Sequence, residues 1–238
     1  MNILVTGATG FIGSHLVKKL LNLKHVIFIT VRPGYNPHRI SSIKEKLLFV
    51  KTDRSLSEIK KTFQKNKIDG IIHLAGYYRK EDFRSDIKKM NETNIDFPLK
   101  LISLAKEYGE PFFINTGSCF EYSSSKVSIN ENSLLKPFNY YAQLKLLFEE
   151  KLIELTKNSK MKALTLKLFF PYGERDGDKL VKLLVENIIQ KNKFHVTKGE
   201  QELGYTYVDD IVSAYILALN YVVSMKIIMI FSILEETQ

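Results

Sequence analysis

The stretch M-N-I-L-V-T-G-A-T-G-F-I-G, residues 1–13, decides the fold. A short apolar run, Ile3–Val5, is followed by three glycines spaced by three, Gly7, Gly10 and Gly13. The pattern predicts a buried strand that passes through a tight turn into a helix. Amides at the start of that helix point outward and the helix dipole favours negative charge, so the turn predicts a pyrophosphate site. The spacing differs from the G-x-G-x-x-G fingerprint, and a tight turn without a ligand is the alternative.

The overall composition is that of one domain, or of one domain with a small appendage. A chain of 238 residues can bury a full apolar core, so it needs neither a metal nor a disulfide for stability. Its single cysteine, Cys119, excludes an internal disulfide and is typical of a reducing compartment. The N-terminus leads into a strand and a glycine turn and shows no signal peptide. We therefore expect a cytoplasmic protein.

Charge and residue spacing argue against several classes of partner. The net charge of +9 comes mostly from scattered lysines, whereas nucleic-acid binding requires a clustered basic face. The five histidines show no metal-ligand spacing, so no metal site is expected. The apolar tail Tyr221–Leu234 is interrupted by Ser224 and Lys226 and is too short for a hydrocarbon core of ~30 Å. We expect no nucleic-acid partner and no membrane span.

Apolar runs alternate with helical stretches along the first two thirds of the chain. The runs are Ile3–Val5, Val26–Val31, Leu47–Val50, Gly70–Leu74, Phe112–Asn115 and Leu164–Leu168, and the helical stretches are Phe11–Leu23, Leu56–Lys65, Arg84–Tyr108 and Tyr141–Thr156. This alternation predicts an α/β fold with a doubly wound parallel sheet, whose ligands bind beyond the carboxyl ends of the strands. Residues 1–168 are assigned to a dinucleotide-binding domain that carries the site. Residues 169–238 form a second, smaller part, which the family resemblance given below implies to be a truncated substrate-binding part with an atypical apolar tail.

Residues after the second and third runs bear on which dinucleotide binds. An NAD site usually has an acidic residue near the end of the second strand to hold the ribose 2′-hydroxyl. Here Val31 is followed by Arg32, whose guanidinium suits the 2′-phosphate of NADP; an ordinary solvated arginine is the alternative. Asp53 either accepts a hydrogen bond from the adenine amino group or caps the helix that starts near Leu56. We expect NADP or NAD, with a slight preference for NADP.

Two later segments carry the residues of a proton relay. The fifth run leads to Ser118, and Tyr141 and Lys145 lie one turn apart on the same face of a predicted helix. A phenol, with a reference pKa of ~10, is a poor acid near neutrality, but a neighbouring ammonium lowers that pKa. A serine hydroxyl can hold the substrate oxygen. Tyr140 is excluded, because Leu144 stands four residues after it. Ser118, Tyr141 and Lys145 are therefore the expected catalytic residues.

Several of these motifs occur in the order typical of one enzyme family. They are Gly7/Gly10/Gly13, His73-Leu74-Ala75, Asn94, Ser118 four residues before Tyr122, Tyr141 with Lys145, Pro171-Tyr172-Gly173 and Val208-Asp209-Asp210. In them the chain resembles the extended short-chain dehydrogenases/reductases, the NAD-dependent epimerase/dehydratase group that acts on nucleotide sugars with a Rossmann fold. The segments Gly70–Tyr78 and Gly199–Tyr215 resemble most the bacterial 4-keto-sugar reductases that make CDP-linked 3,6-dideoxyhexoses for surface polysaccharide.

The resemblance and the strand ends together give the expected cofactor-binding residues. These are Gly7, Thr9, Gly10, Phe11, Ile12, Gly13, Arg32, Asp53, Leu74, Ala75, Gly76, Asn94, Tyr141 and Lys145.

The chain departs from the family pattern at several positions. Cys119 and Phe120 stand where sugar-nucleotide 4,6-dehydratases have an Asp-Glu pair, which argues against dehydration. Cys119 itself fits an inert apolar residue. Many relatives have Asn in place of Phe170, and Leu203-Gly204 replaces an Arg-Asp pair whose arginine clamps the substrate diphosphate. The recognisable pattern ends near residue 219, and the apolar residues after it have no counterpart in the family.

The resemblance implies reduction of a nucleotide-linked 4-keto sugar. Tyr141 would protonate the developing alkoxide, Ser118 would steady it, and NADPH would deliver the hydride. A 4-epimerase with tightly held NAD is the first alternative. A truncated dinucleotide-binding remnant without activity is the second. The expected partners are a nucleotide-sugar substrate and, since family members commonly pair, a second copy in a homodimer.

Overall fold

Strands and helices alternate in the computed structural model, which describes residues 1–53, 55–78, 84–123, 129–177, 179–193, 195–200, 202–224 and 229–232. The strands are β1 Asn2–Thr6, β2 Val26–Val31, β3 Leu48–Lys51, β4 Gly70–His73, β5 Phe112–Ser118, β6 Ala163–Leu168, β7 Pro171–Tyr172, β8 Thr206–Tyr207 and β9 Met229–Ser232. The α-helices are α1 Phe11–Asn22, α2 Ser57–Lys65, α3 Arg84–Asn91, α4 Phe97–Glu107, α5 Tyr140–Thr156, α6 Leu180–Gln190 and α7 Val208–Ser224. Two 3₁₀ segments, His38–Lys46 and Cys119–Glu121, and a π-helical turn, Glu92–Asp96, lie between them.

Within the described residues, seven strands form one sheet in the order β3-β2-β1-β4-β5-β6-β9, and every neighbouring pair is parallel. After β3 the chain crosses back over β1 and places β4 on its other side. The topological switch point therefore lies between β1 and β4, where such sheets bind ligands. A separate pair is formed by β7 and β8. The predicted doubly wound parallel sheet is confirmed.

Both faces of the sheet are covered by helices, as the near-continuous apolar strands require. Ile3 and Val5 of β1 belong to the cluster under α1 and α7, whereas Leu4 belongs to the cluster under α2, α4 and α5. Successive side chains of a strand point to opposite faces, so one apolar run supplies both clusters. The two layers hold the carboxyl ends of the strands in fixed positions.

The C-terminal elements join these same layers. Ile211 and Tyr215 of α7 lie in the cluster that covers β1, and β9 pairs with β6 from Leu164 opposite Met229 to Lys167 opposite Ser232. The apolar tail thus has a partner within the chain, because the edge of β6 offers unpaired backbone groups to β9. α7 and β9 therefore pack onto the sheet formed by residues 1–168. A functional division of the chain at residue 168 stays a prediction.

Some predicted element bounds differ from the structure. β5 runs to Ser118, beyond the predicted Phe112–Asn115, and so carries the candidate serine on the strand itself. The predicted helix Arg84–Tyr108 is divided by the π-helical turn Glu92–Asp96. α7 begins at Val208, so Asp209 and Asp210 lie in its first turn. The helix dipole stabilises negative charge there.

Candidate active site

The glycine turn joins β1 to α1 at the switch point. Gly7 has φ +71°, and a Cβ there would lie 2.7 Å from the amide nitrogen of Ala75. A Cβ on Gly13 would lie 2.3 Å from the carbonyl oxygen of Gly7. These two glycines are therefore required by the turn and by close packing. Gly10 is more open, since its Cβ would meet only the Gly7 oxygen at 3.1 Å.

The N-terminus of α1 leaves backbone amides without helical acceptors. The first intrahelical bond runs from the nitrogen of Ser14 to the oxygen of Gly10 at 3.1 Å. The amides of Phe11, Ile12 and Gly13 precede it. No side chain caps this end and no acidic residue lies in its first turn. The arrangement suits an anion such as a pyrophosphate.

A cleft of about 950 Å³ opens in front of this turn. The predicted cofactor residues on its wall are Gly7, Thr9, Gly10, Arg32, Asp53, Leu74, Ala75 and Gly76. Phe11, Ile12, Gly13, Asn94, Tyr141 and Lys145, which were predicted with them, are not on its wall. The cleft runs from the end of β2, past β1, to the end of β4, which is the extended path that a dinucleotide needs.

Arg32 and Asp53 stand at the β2 end of this cleft. Arg32 is exposed, and its guanidinium makes no hydrogen bond to any described residue. Asp53 accepts hydrogen bonds from the amide and the hydroxyl of Ser55, at 2.9 Å and 2.7 Å. These bonds, above all that from the Ser55 hydroxyl, lower the pKa of Asp53. Asp53 thus orders the turn before α2, but the N-cap of that helix is Leu56 and has no side-chain hydrogen bond, so the prediction that Asp53 caps the helix is wrong. Its contact with an adenine stays a prediction.

A buried histidine fixes the loop after β4. The Nδ1 of His73 lies 2.8 Å from the hydroxyl oxygen of Thr6, and that oxygen also accepts the amide of Ala75 at 3.1 Å. Burial, and secondarily the charge of Lys145, lower the pKa of His73 to about 3. The neutral ring therefore ties β1 to the backbone that lines the cleft.

Asn94 holds the next part of the same loop. Its side-chain oxygen accepts the amide of Tyr77 at 3.0 Å, and its side-chain nitrogen donates to the carbonyl of Tyr77 at 2.9 Å. Asn94 is almost fully buried in the π-helical turn. Its position is that of a residue that shapes the cofactor loop, and direct contact with a cofactor stays a prediction.

The first turns of α5 pack against the carboxyl end of β5, the strand that ends at Ser118. The ammonium of Lys145 donates to the carbonyl of Thr116 at 2.8 Å and lies 5.7 Å from the ring centroid of Tyr141. Asn139 caps α5 by accepting the amide of Ala142 at 2.8 Å, which places Tyr141 in the first turn of the helix. The structure thus brings Tyr141 and Lys145 together beside β5, and a catalytic role for them and for Ser118 stays a prediction.

The pKa of Tyr141 differs from the one that the sequence predicts. Burial, followed by the negative charge of Glu121, raises the pKa of Tyr141 above its ordinary value. Burial lowers the pKa of Lys145 to about 8, against an opposing effect of Glu121. The net shift of the Tyr141 pKa is therefore opposite to the predicted one, because burial and the Glu121 charge outweigh the effect of the ammonium. Tyr141 is accordingly a neutral phenol.

A buried charge cluster behind the relay was missed in the sequence. The ammonium of Lys167 lies 2.6 Å from a carboxylate oxygen of Glu121 and 3.0 Å from one of Glu149. All three side chains are at most 5 % exposed. Two signals point to it: a lysine inside the apolar run Leu164–Leu168, and the S-x-x-E capping box of Ser118 and Glu121.

A series of aromatic ring contacts begins at Tyr141. The centroid of Tyr78 lies 5.1 Å from that of Tyr141, and contacts of 4.9 to 6.3 Å continue along the row. We call this set the aromatic row; its members are Tyr78, Phe120, Phe138, Phe170 and Tyr205. Phe170 has φ +29°, a strained conformation for a bulky residue and one that is typical of functional sites.

Cys119 lies beside Ser118 and is nearly buried. Burial raises its pKa to about 11. A thiol held protonated is a poor nucleophile, which agrees with its interpretation as an inert residue.

Neither a metal-binding cluster nor a membrane-spanning helix occurs in the described ranges of the chain. No group of three or more histidine, cysteine, aspartate or glutamate side chains in those ranges is placed to hold a metal ion. No helix among the same residues combines the length and the apolar character that a bilayer crossing requires.

Comparison with known proteins gives consistent matches over nearly the whole chain. The model of the NAD dependent epimerase/dehydratase family matches residues 3–233. CDP-abequose synthase of Salmonella muenchen is 27% identical over 220 residues, which cover 92% of this chain and 70% of that protein. dTDP-D-glucose 4,6-dehydratase of Dictyostelium discoideum is 31% identical over 242 residues, and this chain spans only 55% of its length.

Solved structures agree with the fold. UDP-glucuronic acid 4-epimerase from Bacillus cereus, in complex with UDP-glucuronic acid and NAD, superimposes with a TM-score of 0.86 at 26% identity; the match covers 98% of this chain and 77% of the epimerase. The same enzyme in complex with NAD alone gives a TM-score of 0.86 at 25% identity. The family match extends past residue 219, so the expectation that the family pattern ends there is wrong.

Proposed function

Because the chain belongs to the NAD dependent epimerase/dehydratase family, we propose that it is an oxidoreductase of a nucleotide-linked sugar and that it reduces a 4-keto group. The observation that carries this proposal is the neutral phenol of Tyr141, one turn from Lys145 on α5, which packs against the strand that ends at Ser118. Reduction of a ketone consumes a proton, and a phenol is the form that donates one. Similarity to CDP-abequose synthase supports the same substrate class.

The residues of this chain would share the work as follows. Ser118, fixed at the end of β5, would hold the sugar oxygen, and Tyr141 would donate its proton to that oxygen as it becomes an alkoxide. Lys145, with a pKa of about 8, would stabilise the phenolate left behind and supply the next proton. A nicotinamide dinucleotide in the cleft would supply the hydride.

The residues around the cleft suit a nicotinamide dinucleotide. The free amides of Phe11 and Ile12 would take the pyrophosphate, and Gly10 leaves room for a close approach. Solved relatives hold NAD. Arg32, exposed at the β2 end and without a described partner, supports NADP as the preferred form, which stays part of the proposal.

The aromatic row would form the wall of the sugar site. Phe120 lies two residues after Ser118, and its ring contacts Tyr78, Phe138 and Phe170. Apolar walls with a few placed polar groups are typical of small-molecule sites. The row occupies the position where the family resemblance implies a polar contact to the diphosphate, at Phe170.

A homodimer also stays a proposal, which light scattering of the protein in solution tests.

The direct test is oxidation of NADPH and NADH, followed by absorbance, with nucleotide-linked 4-keto sugars that differ in base. We expect consumption of cofactor that depends on the sugar and yields a product reduced at C4. Cofactor binding without turnover for any such sugar would contradict the proposal.

A 4-epimerase is the second candidate, and the solved epimerases that hold NAD favour it. Interconversion of two nucleotide sugars that differ at C4, without added cofactor, would establish it in place of reduction.

A further inference from the structure

The cluster of Glu121, Glu149 and Lys167 joins the three elements that carry the site. Glu121 lies in the 3₁₀ segment after β5, Glu149 lies on α5, and Lys167 lies on β6. The Lys167 ammonium donates to Glu121 at 2.6 Å and lies 3.0 Å from Glu149. Buried charges are expensive to maintain, so a cluster of this kind calls for an explanation beyond packing.

Glu121 is bonded directly to the backbone of the candidate serine. Its Oε1 accepts the amide of Ser118 at 2.6 Å, while the Ser118 hydroxyl accepts the amide of Phe120 at 3.3 Å. These bonds form a capping box that fixes the turn at the end of β5. A Cβ on Gly117 would lie 2.9 Å from the Glu121 carboxylate, so glycine leaves space for it.

Glu149 connects the same cluster to the catalytic helix. Tyr141, Lys145 and Glu149 follow one another at intervals of four residues, so they lie on one face of α5. The cluster thus ties the strand end that holds Ser118 to the helix that holds Tyr141 and Lys145.

The carboxyl groups of Glu121 and Glu149 differ in their hydrogen bonds. Glu121 accepts a hydrogen bond at each oxygen, an arrangement that suits the ionised form. The Oε2 of Glu149 is buried and has no hydrogen-bond partner among the described residues. A protonated carboxyl on Glu149 leaves one carboxylate facing one ammonium, which removes the uncompensated buried charge.

We propose that Glu121, Lys167 and Glu149 form a positioning cluster that holds Ser118 and α5 in register, with Glu121 as the carboxylate and Glu149 carrying a proton. The protonation agrees with the pKa of Glu149, which burial and then the Glu121 charge raise. The catalytic consequence rests on the proposed function, whereas the arrangement of charges does not.

The titratable groups that face Tyr141 and Lys145 single out Glu121 for a test. They are His73 of β4, Tyr78 of the loop after it, Cys119 and Glu121 of the 3₁₀ segment, and Tyr215 of α7. Of these, only Glu121 is assigned a negative charge near neutral pH. That charge raises the pKa of both Tyr141 and Lys145.

A matched pair of Glu→Gln variants tests the charge assignment in the full chain. Glu149→Gln replaces a neutral acid, so we expect its urea midpoint at pH 7.5 to match the unaltered protein. Glu121→Gln removes the carboxylate and leaves Lys167 without an ionised partner, so its midpoint should fall clearly. Equal losses in the two variants would overturn the assignment of the proton to Glu149.

A second measurement tests the positioning role. If Glu121→Gln does not fold, Glu121→Gln/Lys167→Met removes both charges and avoids the orphaned ammonium. In whichever variant folds, we expect kcat to fall at least tenfold with the KM for the dinucleotide unchanged. The limb of the pH–rate profile assigned to the relay should move to lower pH. An unchanged kcat and pH profile would overturn the role. If the unaltered protein turns over no sugar, the proposed function fails while the urea comparison still decides the cluster.

Discussion

Tyr141 is held as a neutral phenol by burial and by a carboxylate, and its protonation makes it the natural proton donor of the site. The Tyr141→Phe variant keeps the ring and removes only the hydroxyl. We expect turnover to fall by ~10²–10⁴, the usual cost of losing a general acid, with dinucleotide affinity nearly unchanged. Steady-state rates and a fluorescence titration of NADPH measure the two effects. Tyr140→Phe is the matched control, and a rate near that of the unaltered protein in Tyr141→Phe would show that the relay is misassigned.

Arg32 is the residue on which the proposed preference for NADP depends. Its exposed guanidinium at the β2 end of the cleft is free to bond a 2′-phosphate. We expect Arg32→Ala to weaken NADPH binding by about 1.5–3 kcal/mol, the range of a charge-assisted bond, and to leave NADH little changed. Arg39→Ala, at another arginine on the cleft wall, serves as control. Equal losses for the two dinucleotides would return 4-epimerisation with NAD to first place.

His73 makes the stability of the fold depend on pH. Its pKa is about 3 in the folded protein and ~6.5 in an unfolded chain, so below pH 6.5 the unfolded state binds more protons. This stability is complete above pH 6.5 and is lost as the pH falls toward 3. Between pH 7.5 and 5.5 we expect a loss of about 1.4 kcal/mol in the free energy of unfolding from this group. Urea titrations of the unaltered protein and of His73→Asn should differ by that amount in their pH dependence, and parallel curves would contradict it.

At the scale of elements, the turn between β1 and α1 is fixed by contacts rather than by helix propensity. Alanine is favoured over glycine inside a helix by about 1 kcal/mol. A Cβ at Gly13, however, would lie 2.3 Å from a backbone oxygen, so the turn must shift. We expect Gly13→Ala to lower the free energy of unfolding by about 1–3 kcal/mol and to weaken dinucleotide binding. Gly177→Ala, whose Cβ would meet nothing within 4 Å, is the control. Unchanged binding in Gly13→Ala would show that the turn does not hold the cofactor.

The sequence predicts those elements whose pattern is local. The glycine turn, the alternation of strands and helices and the spacing of Tyr141 and Lys145 depend on neighbouring residues, and the structure has them where they were expected. Strand β9 was not among the predicted apolar runs, because the edge of β6 that pairs with it exists only once the sheet has formed. The predicted shift of the Tyr141 pKa was wrong in direction. This pKa depends on burial and on Glu121, which only the folded chain brings close.

At the scale of the whole molecule, the two sides of the site differ in how firmly they are built. The dinucleotide cleft is bounded by sheet and by buried turns, whereas in the aromatic row Phe138 is 67% exposed, Tyr78 46% and Tyr205 39%. A ligand in the cleft therefore engages the folded core, and one on the aromatic row engages less of it.

This difference predicts an order of thermal shifts. A ligand at 100 times its dissociation constant adds about 2.7 kcal/mol to the folded state, which is about 5–10 °C for a domain of this size. We expect a nicotinamide dinucleotide at that excess to give such a shift, and a sugar nucleotide alone at the same concentration to give less than half of it. Adding both should exceed the dinucleotide alone if the sugar site forms around the bound cofactor. A sugar nucleotide that by itself matches the dinucleotide would contradict the expected order, and would mean that the sugar side is as well formed as the cleft.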